Sequence, residues 1–449
     1  MFKQFYIFLT CLLLTIVNAK SFLDSENVLV LYDSELIHLN DSTSLSKPID
    51  EFMNYLNDKF TVTISTYNNN EDEQGEEIEL FYQDFPKFQH IVFFPSSKKA
   101  IKLKEVLNQH NLLRFLNEDG NILVVGGSIG VLPDGIRGFL NEVGIYPSPK
   151  NYKYFDHFNS NKNGNVELIK ENIINSRLIS NEDLLIGKEY DGNAALISNN
   201  EYIFPIVGSS STGYTNKIGE SSMDGETTWT FGEQGYLSVG FQALNNARLV
   251  WLGSSSLLNV PDLYKWCFQK QGKLKLQFVQ HVKEIEPTKP NPQLYRIKDQ
   301  AIYTIGVSEL VDDKWVPFKV ENDDDQLQLS FKMLDPYQRL NLRPLGEVSS
   351  NESDSTQLDT YAYYANFTIP DHHGMFTFEL DYKRVGLSYL SDKRVVTVRH
   401  LANDEFKRSW DITNSWLYIA STTLVIIAWL MFVVSYIYVG KPNLTKKDQ

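Results

Sequence analysis

One short stretch of the sequence has the residue types and spacing of a covalent catalyst. Gly126-Gly127-Ser128-Ile129-Gly130 matches G-x-S-x-G, in which a serine sits on a sharp turn between a strand and a helix. A serine hydrolase also needs a histidine to accept the serine proton and an acid to orient that histidine. His157 and His281 are the candidates, but neither follows an obvious strand. A glycine-rich turn is also common in α/β domains without chemistry, so a serine hydrolase using Ser128 stays an alternative.

Other kinds of site have weaker signals. The same turn could favour an anion, but G-x-G-x-x-G and G-x-x-x-x-G-K-[ST] are absent from the sequence. His372 and His373 are adjacent, and adjacent side chains of an extended chain point apart. The acidic run at 321–325 lacks the glycine and terminal glutamate of a calcium loop. Cys267 lies among aromatic residues, which favours a buried thiol over a nucleophile. We predict no catalytic residue, no metal site and no bound cofactor.

The two ends of the chain predict a single-span membrane protein. Residues 1–19 combine one lysine, a short apolar run and small residues at the end, which is typical of a cleaved secretory signal. Residues 416–439 are uncharged, long enough to cross a ~30 Å bilayer core, and flanked by aromatic residues. The lysines in the tail, residues 440–449, place the C-terminus in the cytosol. Lys446 and Lys447 have the spacing of a dilysine endoplasmic reticulum retrieval signal.

Net charge and glycosylation motifs indicate the partners and the compartment of the rest of the chain. The formal net charge of −14 over 449 residues argues against a nucleic acid partner, since phosphate backbones bind positive surfaces. On the luminal side, candidate N-glycosylation sites stand at Asn40, Asn351 and Asn366. Asn443 fits the same motif, but it follows the predicted span and would receive no glycan.

Hydrophobic periodicity divides the luminal part into two predicted domains. Residues 20–270 alternate buried strands with amphipathic helices, which indicates a parallel, doubly wound α/β sheet. The predicted helices include one that runs through Ile101 and Phe115 and ends at Asp119-Gly120, and another near Asp134 to Val143. Residues 271–410 alternate with period two between turns, which predicts an antiparallel β-sandwich next to the membrane.

Several strings resemble one known family over nearly the whole mature chain. This family is the single-span luminal subunit of oligosaccharyltransferase, which includes the fungal wheat-germ-agglutinin-binding protein. The strings in the α/β part are generic, whereas those in the β part are specific. They are ENVLVLYDS (Glu26 to Ser34), ARLVWLGSSSLL (Ala247 to Leu258), LYRIKDQAIYTIGVSEL (Leu294 to Leu310), QLQLSFKMLDPYQRL (Gln326 to Leu340) and IPDHHGMFTFELDYKRVGLSYL (Ile369 to Leu390).

The resemblance implies a non-catalytic subunit in the endoplasmic reticulum membrane. The family's complex transfers a preassembled oligosaccharide from dolichyl diphosphate to Asn in N-x-S/T, and a separate multi-span subunit performs catalysis. Implied partners are that catalytic subunit, ribophorin I-like and ribophorin II-like subunits, and small multi-span subunits. The family's luminal domain is similar to class I glutamine amidotransferases, which use a cysteine where this chain has Ser128. A glycan-binding cargo receptor is a third interpretation.

Overall fold

The computed structural model describes most of the chain after the predicted signal peptide. The predicted signal at 1–19 and the lysines Lys446 and Lys447 lie outside the described residues. The described residues are 26–37, 46–68, 78–82, 85–161, 165–219, 225, 227–311, 313–320, 325–348, 359–406, 414–438 and 440.

The first part of the chain mixes helices and strands, and residues 26–268 are called the α/β region below. Its elements are β1 (Asn27–Tyr32), α1 (Lys47–Lys59), β2 (Thr61–Thr66), β3 (Phe81–Tyr82), β4 (Phe85–Pro86), β5 (His90–Phe93), α2 (Gln109–Asn117), β6 (Asn121–Val125), α3 (Asp134–Val143), β7 (Ile145–Pro147), β8 (Tyr152–Phe155), β9 (Val166–Glu167), β10 (Glu189–Tyr190), β11 (Ala195–Ile197), β12 (Ile203–Gly208), β13 (Tyr214–Lys217), β14 (Thr230–Phe231), β15 (Tyr236–Gln242), β16 (Arg248–Leu252) and α4 (Pro261–Cys267).

A nine-stranded sheet forms the centre of the α/β region as described. Its order is β2-β1-β5-β6-β16-β15-β11-β7, and β12 also pairs with β15. The neighbours from β2 to β16 pair in parallel, whereas β15, β11, β12 and β7 join through antiparallel pairs. Parallel neighbours require crossover connections, and helices α1 and α2 supply two of them. The carboxyl ends of β1, β5, β6 and β16 therefore share one edge of the sheet.

Helices cover both faces of this sheet because alternate side chains of each strand point in opposite directions. On β1, Val28 and Val30 belong to the same buried cluster as the apolar residues of α1 and α4. Leu29 and Leu31 belong instead to the cluster that contains the apolar residues of α2 and α3. The predicted mixture of α and β structure is confirmed, and α3 has the bounds that the periodicity predicts.

The predicted helix through Ile101 and Phe115 is wrong in its first half. Only a single 3₁₀ turn forms at Lys102–Lys104, and α2 begins at Gln109. The new start is fixed by Asn108, whose side-chain oxygen accepts a hydrogen bond from the Asn111 N–H at 2.8 Å. An asparagine cap satisfies a free N–H of the first turn, which makes this position a better helix start than Ile101.

Most of the rest of the described chain before the C-terminal helix is made of strands, and residues 273–399 are called the β region. Its strands are β17 (Lys273–Lys283), β18 (Leu294–Arg296), β19 (Gln300–Val311), β20 (Lys314–Pro317), β21 (Gln328–Lys332), β22 (Pro336–Asn341), β23 (Arg343–Val348), β24 (Thr360–Thr368), β25 (Gly374–Tyr382) and β26 (Leu390–Arg399).

Two five-stranded sheets share one core in the β region. One sheet has the order β17-β19-β24-β23 with β20 paired to β19, and the other has the order β18-β26-β25-β21-β22. Tyr303 from the first sheet stacks on Phe378 from the second, with ring centroids 5.6 Å apart. Both belong to a single buried cluster that draws apolar side chains from both sheets. Alternating patterns thus give each sheet one apolar face, and the two faces cover each other.

A buried arginine ties the end of the α/β region to its own sheet. Arg248, on β16, is completely buried, and its guanidinium donates to the carbonyl oxygens of Trp266, Gln271 and Gly272 at 2.7–2.8 Å. The guanidinium also lies over the Trp266 ring, 4.6 Å from its centroid. Burial lowers the pKa of Arg248 to about 9, so the group remains charged at neutral pH.

The loop between β25 and β26 in the β region is hydrogen-bonded to the same segment of the α/β region. The Trp266 indole N–H donates to the Gly386 carbonyl at 2.9 Å, and the Ser388 N–H donates to the Gly272 carbonyl at 2.8 Å. The two glycine backbones approach so closely that a Cβ at Gly272 would lie 2.2 Å from the Gly386 oxygen. Both glycines have positive φ, at 64° and 87°. The two regions are therefore joined by a buried, hydrogen-bonded contact as well as by the chain itself.

Among the described residues, one helix is long and apolar enough to cross a membrane. Helix α5 (Ser415–Ile437) has no buried side chain, although its residues are strongly apolar. A soluble protein would hide such a surface, so its complete exposure fits a helix that meets lipid. The helix overlaps the predicted span at 416–439, and the predicted C-terminal membrane helix is confirmed in that respect.

Replacing Arg248 with methionine should loosen the junction. The variant removes the guanidinium from three carbonyl oxygens, two of which, those of Trp266 and Gly272, keep a backbone N–H donor. Hydrogen bonds to a charged group contribute roughly 1.5–3 kcal/mol, so we expect the free energy of unfolding to fall by about 2–3 kcal/mol. Denaturant unfolding of the purified full chain, followed by tryptophan fluorescence, measures this loss. Arg339→Met is the matched control because Arg339 is an exposed residue of β22. Equal unfolding midpoints for the two variants would contradict the assigned role of Arg248.

Candidate functional site

The glycine turn with Ser128 lies where sequence patterning places it, at the carboxyl end of β6. The turn begins directly after Val125, and the Gly126 N–H donates to the Leu252 carbonyl of neighbouring β16 at 2.6 Å. Ser128 itself is only 8% exposed, while the next residue, Ile129, is 69% exposed. The turn therefore presents an isoleucine to solvent and keeps the serine mostly covered, which is the reverse of what a nucleophile requires.

The two candidate histidines are held by tyrosines. His157 Nε2 lies 2.8 Å from the Tyr214 hydroxyl, and His281 Nδ1 lies 2.8 Å from the Tyr295 hydroxyl. His281 is part of β17, far along the chain from the turn, and its ring stacks on Phe378 at 4.8 Å. Burial lowers the pKa of His281 to about 4 and keeps its imidazole neutral. Within the described chain, no hydrogen bond joins either histidine to Ser128.

The acid next to His157 is also fully engaged. Asp156 accepts hydrogen bonds from the side chains of Ser210, Thr212 and Asn159. Its burial opposes ionisation, but these hydrogen bonds together lower its pKa. Asp156 therefore stabilises a loop and does not orient the imidazole of His157, so the described residues do not assemble a serine, a histidine and an acid.

A small cavity lies beside the glycine turn. The described residues that line it include Pro95, Gly126, Gly130, Arg137 and Asn193, and Ser128 is not one of them. Its volume is about 10 Å³, which is close to the least space that one water molecule needs. A sugar or a peptide cannot enter a space of this size, so the cavity does not form a substrate pocket at the turn.

The strand ends next to β6 hold a polar network that the sequence analysis missed. Asp33 follows β1 and is 1% exposed. Its carboxylate accepts from the Ser97 N–H at 2.8 Å, the Ser97 hydroxyl at 2.6 Å, the Ser96 hydroxyl at 3.1 Å and the Glu35 N–H at 3.0 Å. Burial opposes ionisation, yet these donors together lower the pKa of Asp33.

Neighbouring strand ends in a parallel sheet are where α/β folds usually bind ligands. Here Asp33 and its serine donors lie together just beyond the paired carboxyl ends of β1 and β5. The signal was available in the sequence, since Asp33 directly follows β1 and Ser96-Ser97 come shortly after β5. Parallel pairing of these strands brings such residues together.

The remaining reactive side chains do not form a site. Cys267 is completely buried on α4, its thiol lies 3.3 Å from the Ile122 carbonyl oxygen, and burial raises its pKa far above the usual range. The predicted burial of this thiol is confirmed. His372 and His373 lie in the exposed turn before β25, where the ring of His373 contacts that of His400 at a tilt, with ring centroids 3.9 Å apart. Among the described residues, no group of three or more potential metal ligands occurs.

Comparisons with known proteins decide the family. One family model, described as OST48, N-terminal domain, matches residues 18–273, and a second, described as OST48 middle domain, matches residues 280–440. The chain belongs to the OST48 family. Relatives agree: the Saccharomyces cerevisiae dolichyl-diphosphooligosaccharide–protein glycosyltransferase subunit WBP1 is 36% identical over 92% of this chain and 91% of the relative.

More distant OST48 relatives extend over most of their length as well. The Schizosaccharomyces pombe subunit wbp1 is 29% identical over 80% of this chain and 83% of its own. The Drosophila melanogaster 48 kDa subunit is 27% identical over 78% and 79%. Among solved structures, the mmIFT52 N-terminal domain aligns over 54% of this chain and 97% of its own, at 13% identity and a TM-score of 0.37. A likeness at that level carries no argument about function.

The glycosylation sites predicted for this OST48 chain can be located only in part. Asn40 and Asn351 lie outside the described residues. Asn366 lies on β24, and it and Thr368 are exposed, whereas Phe367 between them is buried. Period-two alternation thus places both recognised residues of the motif on the outer face of the sheet. A glycan on Asn366 would extend into solvent without disturbing the core, and its presence stays a prediction.

Replacing Asn366 with glutamine should remove one glycan. The side chain is exposed, so the fold should be unchanged, and the loss should appear as one fewer endoglycosidase-sensitive step in electrophoretic mobility. Asn443→Gln is the matched control, since it changes the same motif beyond the predicted span. A mobility shift caused by Asn443→Gln, or none caused by Asn366→Gln, would contradict the predicted pattern.

Proposed function

We propose that this chain is a non-catalytic, accessory subunit of an oligosaccharyltransferase complex. The enzyme would transfer a preassembled oligosaccharide from dolichyl diphosphate to Asn in N-x-S/T of nascent polypeptides. Support comes from the relatives, which are named as dolichyl-diphosphooligosaccharide–protein glycosyltransferase subunits and match over most of both chains. The chain's own residues are proposed to bind no cofactor and to perform no chemical step.

One observation carries the non-catalytic part of the proposal. Ser128 occupies the position of an elbow nucleophile but is mostly covered, and His157 and His281 are each bound by a tyrosine elsewhere. A nucleophilic serine needs a base within hydrogen-bond reach. The turn therefore fits a fold that is retained for binding partners rather than for catalysis.

We further infer a specific architecture for the luminal part. Helices on both faces of a largely parallel sheet favour a doubly wound, amidotransferase-like domain over residues 20–270. Two sheets around one core favour a β-sandwich over residues 271–410. The span at 416–439 and the tail at 440–449 would complete the chain.

Membrane orientation and partners follow from the ends of the chain. We propose a type I protein of the endoplasmic reticulum, with its folded part in the lumen and Lys446 and Lys447 as a cytosolic retrieval signal. Its partners would be the catalytic multi-span subunit, ribophorin I-like and ribophorin II-like subunits, and small multi-span subunits. The exposed helix α5 provides a surface that could bind membrane-embedded partners.

The two alternative functions have less support. A luminal serine hydrolase would need His157 or His281 beside Ser128, and the described contacts place both histidines with tyrosines. A glycan-binding cargo receptor would belong to a different family from the relatives that match this chain.

Changing Ser128 to alanine separates the accessory role from a hydrolase. We expect glycosylation of a reporter protein to proceed at the parental rate, whereas loss of a serine nucleophile costs a factor on the order of 10⁶ in turnover. Ser391→Ala, on the exposed face of β26, is the matched control. A collapse of glycosylation with the complex still assembled would return weight to a catalytic serine.

Purification of the tagged full chain in a mild detergent tests the assembly directly. Mass spectrometry should recover the multi-span glycosyltransferase subunit and ribophorin-like chains in near-stoichiometric amounts. Recovery of the chain alone, or with cargo and coat proteins only, would refute the accessory-subunit proposal.

A further inference from the structure

Strand pairing brings five connections to one end of the β region. Lys283 of β17 pairs with Ala301 at the start of β19, and Gln300 pairs with Thr368 at the end of β24. In the second sheet, Gly374 at the start of β25 pairs with Val398 near the end of β26. The connections that meet at this end therefore include residues 284–293, 297–299, 333–335, 369–373 and 400–406.

This end is also the one from which the chain leaves for the membrane helix. The segment after β26 is fastened back onto it by Glu405, which accepts from Arg296 at 3.2 Å and from Arg399 at 2.7 Å. The Arg399 hydrogen bond, with the Ala402 N–H, holds the pKa of Glu405 down to about 2, so this clamp persists at any physiological pH. From Phe406 to Ser415 the chain can span at most ~30 Å.

Apolar side chains project from this end without being packed. Leu334 is 91% exposed and Ile285 is 71% exposed, and each sits in a connection between strands. The membrane-facing rim, as we name the group, consists of Ile285, Leu294, Met333, Leu334, Met375 and Phe406, all at least 38% exposed. The opposite end of the β region has a partner already, because it contacts the α/β region through the loop containing Gly386.

We propose that the membrane-facing rim inserts into the headgroup region of the lipid bilayer. The short tether and the Glu405 clamp keep this end of the β region close to the membrane surface. Apolar side chains scattered over several connections and strand ends suit shallow insertion at the boundary between headgroups and acyl chains, where an apolar group gains ~5–10 Å of burial. A docked protein would favour one continuous apolar face instead.

Two ion pairs beside the rim lower the cost of this insertion, whereas the exposed Glu284 and Asp335 limit it to the headgroup level. Lys289 pairs with Glu286 at 3.0 Å, and Lys298 pairs with Asp371 at 2.8 Å. Paired charges are less costly to bring near a low-dielectric region than single ones. The rim would thus restrict the tilt of the β region on the membrane. This inference requires only that α5 spans a bilayer, and it holds for any function of the luminal part.

Site-specific fluorescence in a bilayer tests the proposal. Leu334→Cys and Ile285→Cys would each be labelled with an environment-sensitive fluorophore in the full chain, reconstituted into phosphatidylcholine nanodiscs. Labelling is selective in a Cys11→Ser background, because Cys267, the other cysteine of the sequence, is buried. Lipids with a nitroxide at the headgroup boundary should quench at least about half of the emission, as expected for groups ~5–10 Å inside that boundary.

Val311→Cys is the matched control, because it ends β19 at the far end of the β region and is likewise exposed. At a rise of ~3.3 Å per residue it lies well over 30 Å from the rim, so its label should be barely quenched. Equal, weak quenching at all three positions, with α5 still resistant to alkaline extraction, would overturn the proposal. Rim labels that are shielded from aqueous iodide but unquenched by lipid would overturn it in favour of a protein partner.

Discussion

The arrangement of the α/β and β regions depends on one buried guanidinium. Arg248 has no solvent to stabilise its charge, and three carbonyl oxygens and the Trp266 ring take the place of water. Burying a charge is costly unless it is matched in this way, so the chain between Trp266 and Gly272 has to follow one path. That path places Gly272 against Gly386, and only residues without a Cβ allow the contact. The relative position of the α/β region and the β region therefore depends on the contacts that replace water around Arg248.

Packing also explains why the glycine turn has the shape of a nucleophile elbow without the catalytic side chains around Ser128. The turn supports the end of β6, and the side chains that a catalyst would place around Ser128 are used for packing. His281 is part of the aromatic core of the β region, and Asp33 fills the crevice between strand ends with its own hydrogen bonds. The Asp33 carboxylate accepts four hydrogen bonds within the chain, so it has little capacity left to bind a substrate.

Much of the fold follows from periodicity, and the parts that do not have identifiable causes. The bounds of α3 and the position of the membrane helix are local properties, so the sequence alone predicts them. The start of α2 depends on a cap at Asn108, which outweighs the apolar pattern before it. Arg248 looks like an interruption at the start of an apolar strand, and its carbonyl partners lie 18 to 24 positions further along the chain. Hydrogen bonds between residues this far apart in the chain cannot be predicted from local sequence patterns. The same holds for the cluster around Asp33.

The length of the β strands determines the distance between the two ends of the β region. Strand β19 has 12 residues, which at ~3.3 Å per residue corresponds to about 40 Å between the end that faces the membrane helix and the end that contacts the α/β region. Because buried hydrogen bonds around Arg248 join the two regions, the α/β region is held at the far end of the β region. With the membrane-facing rim in the bilayer as proposed, the β region would keep the α/β region, and any macromolecule bound to it, at a fixed distance above the lipid.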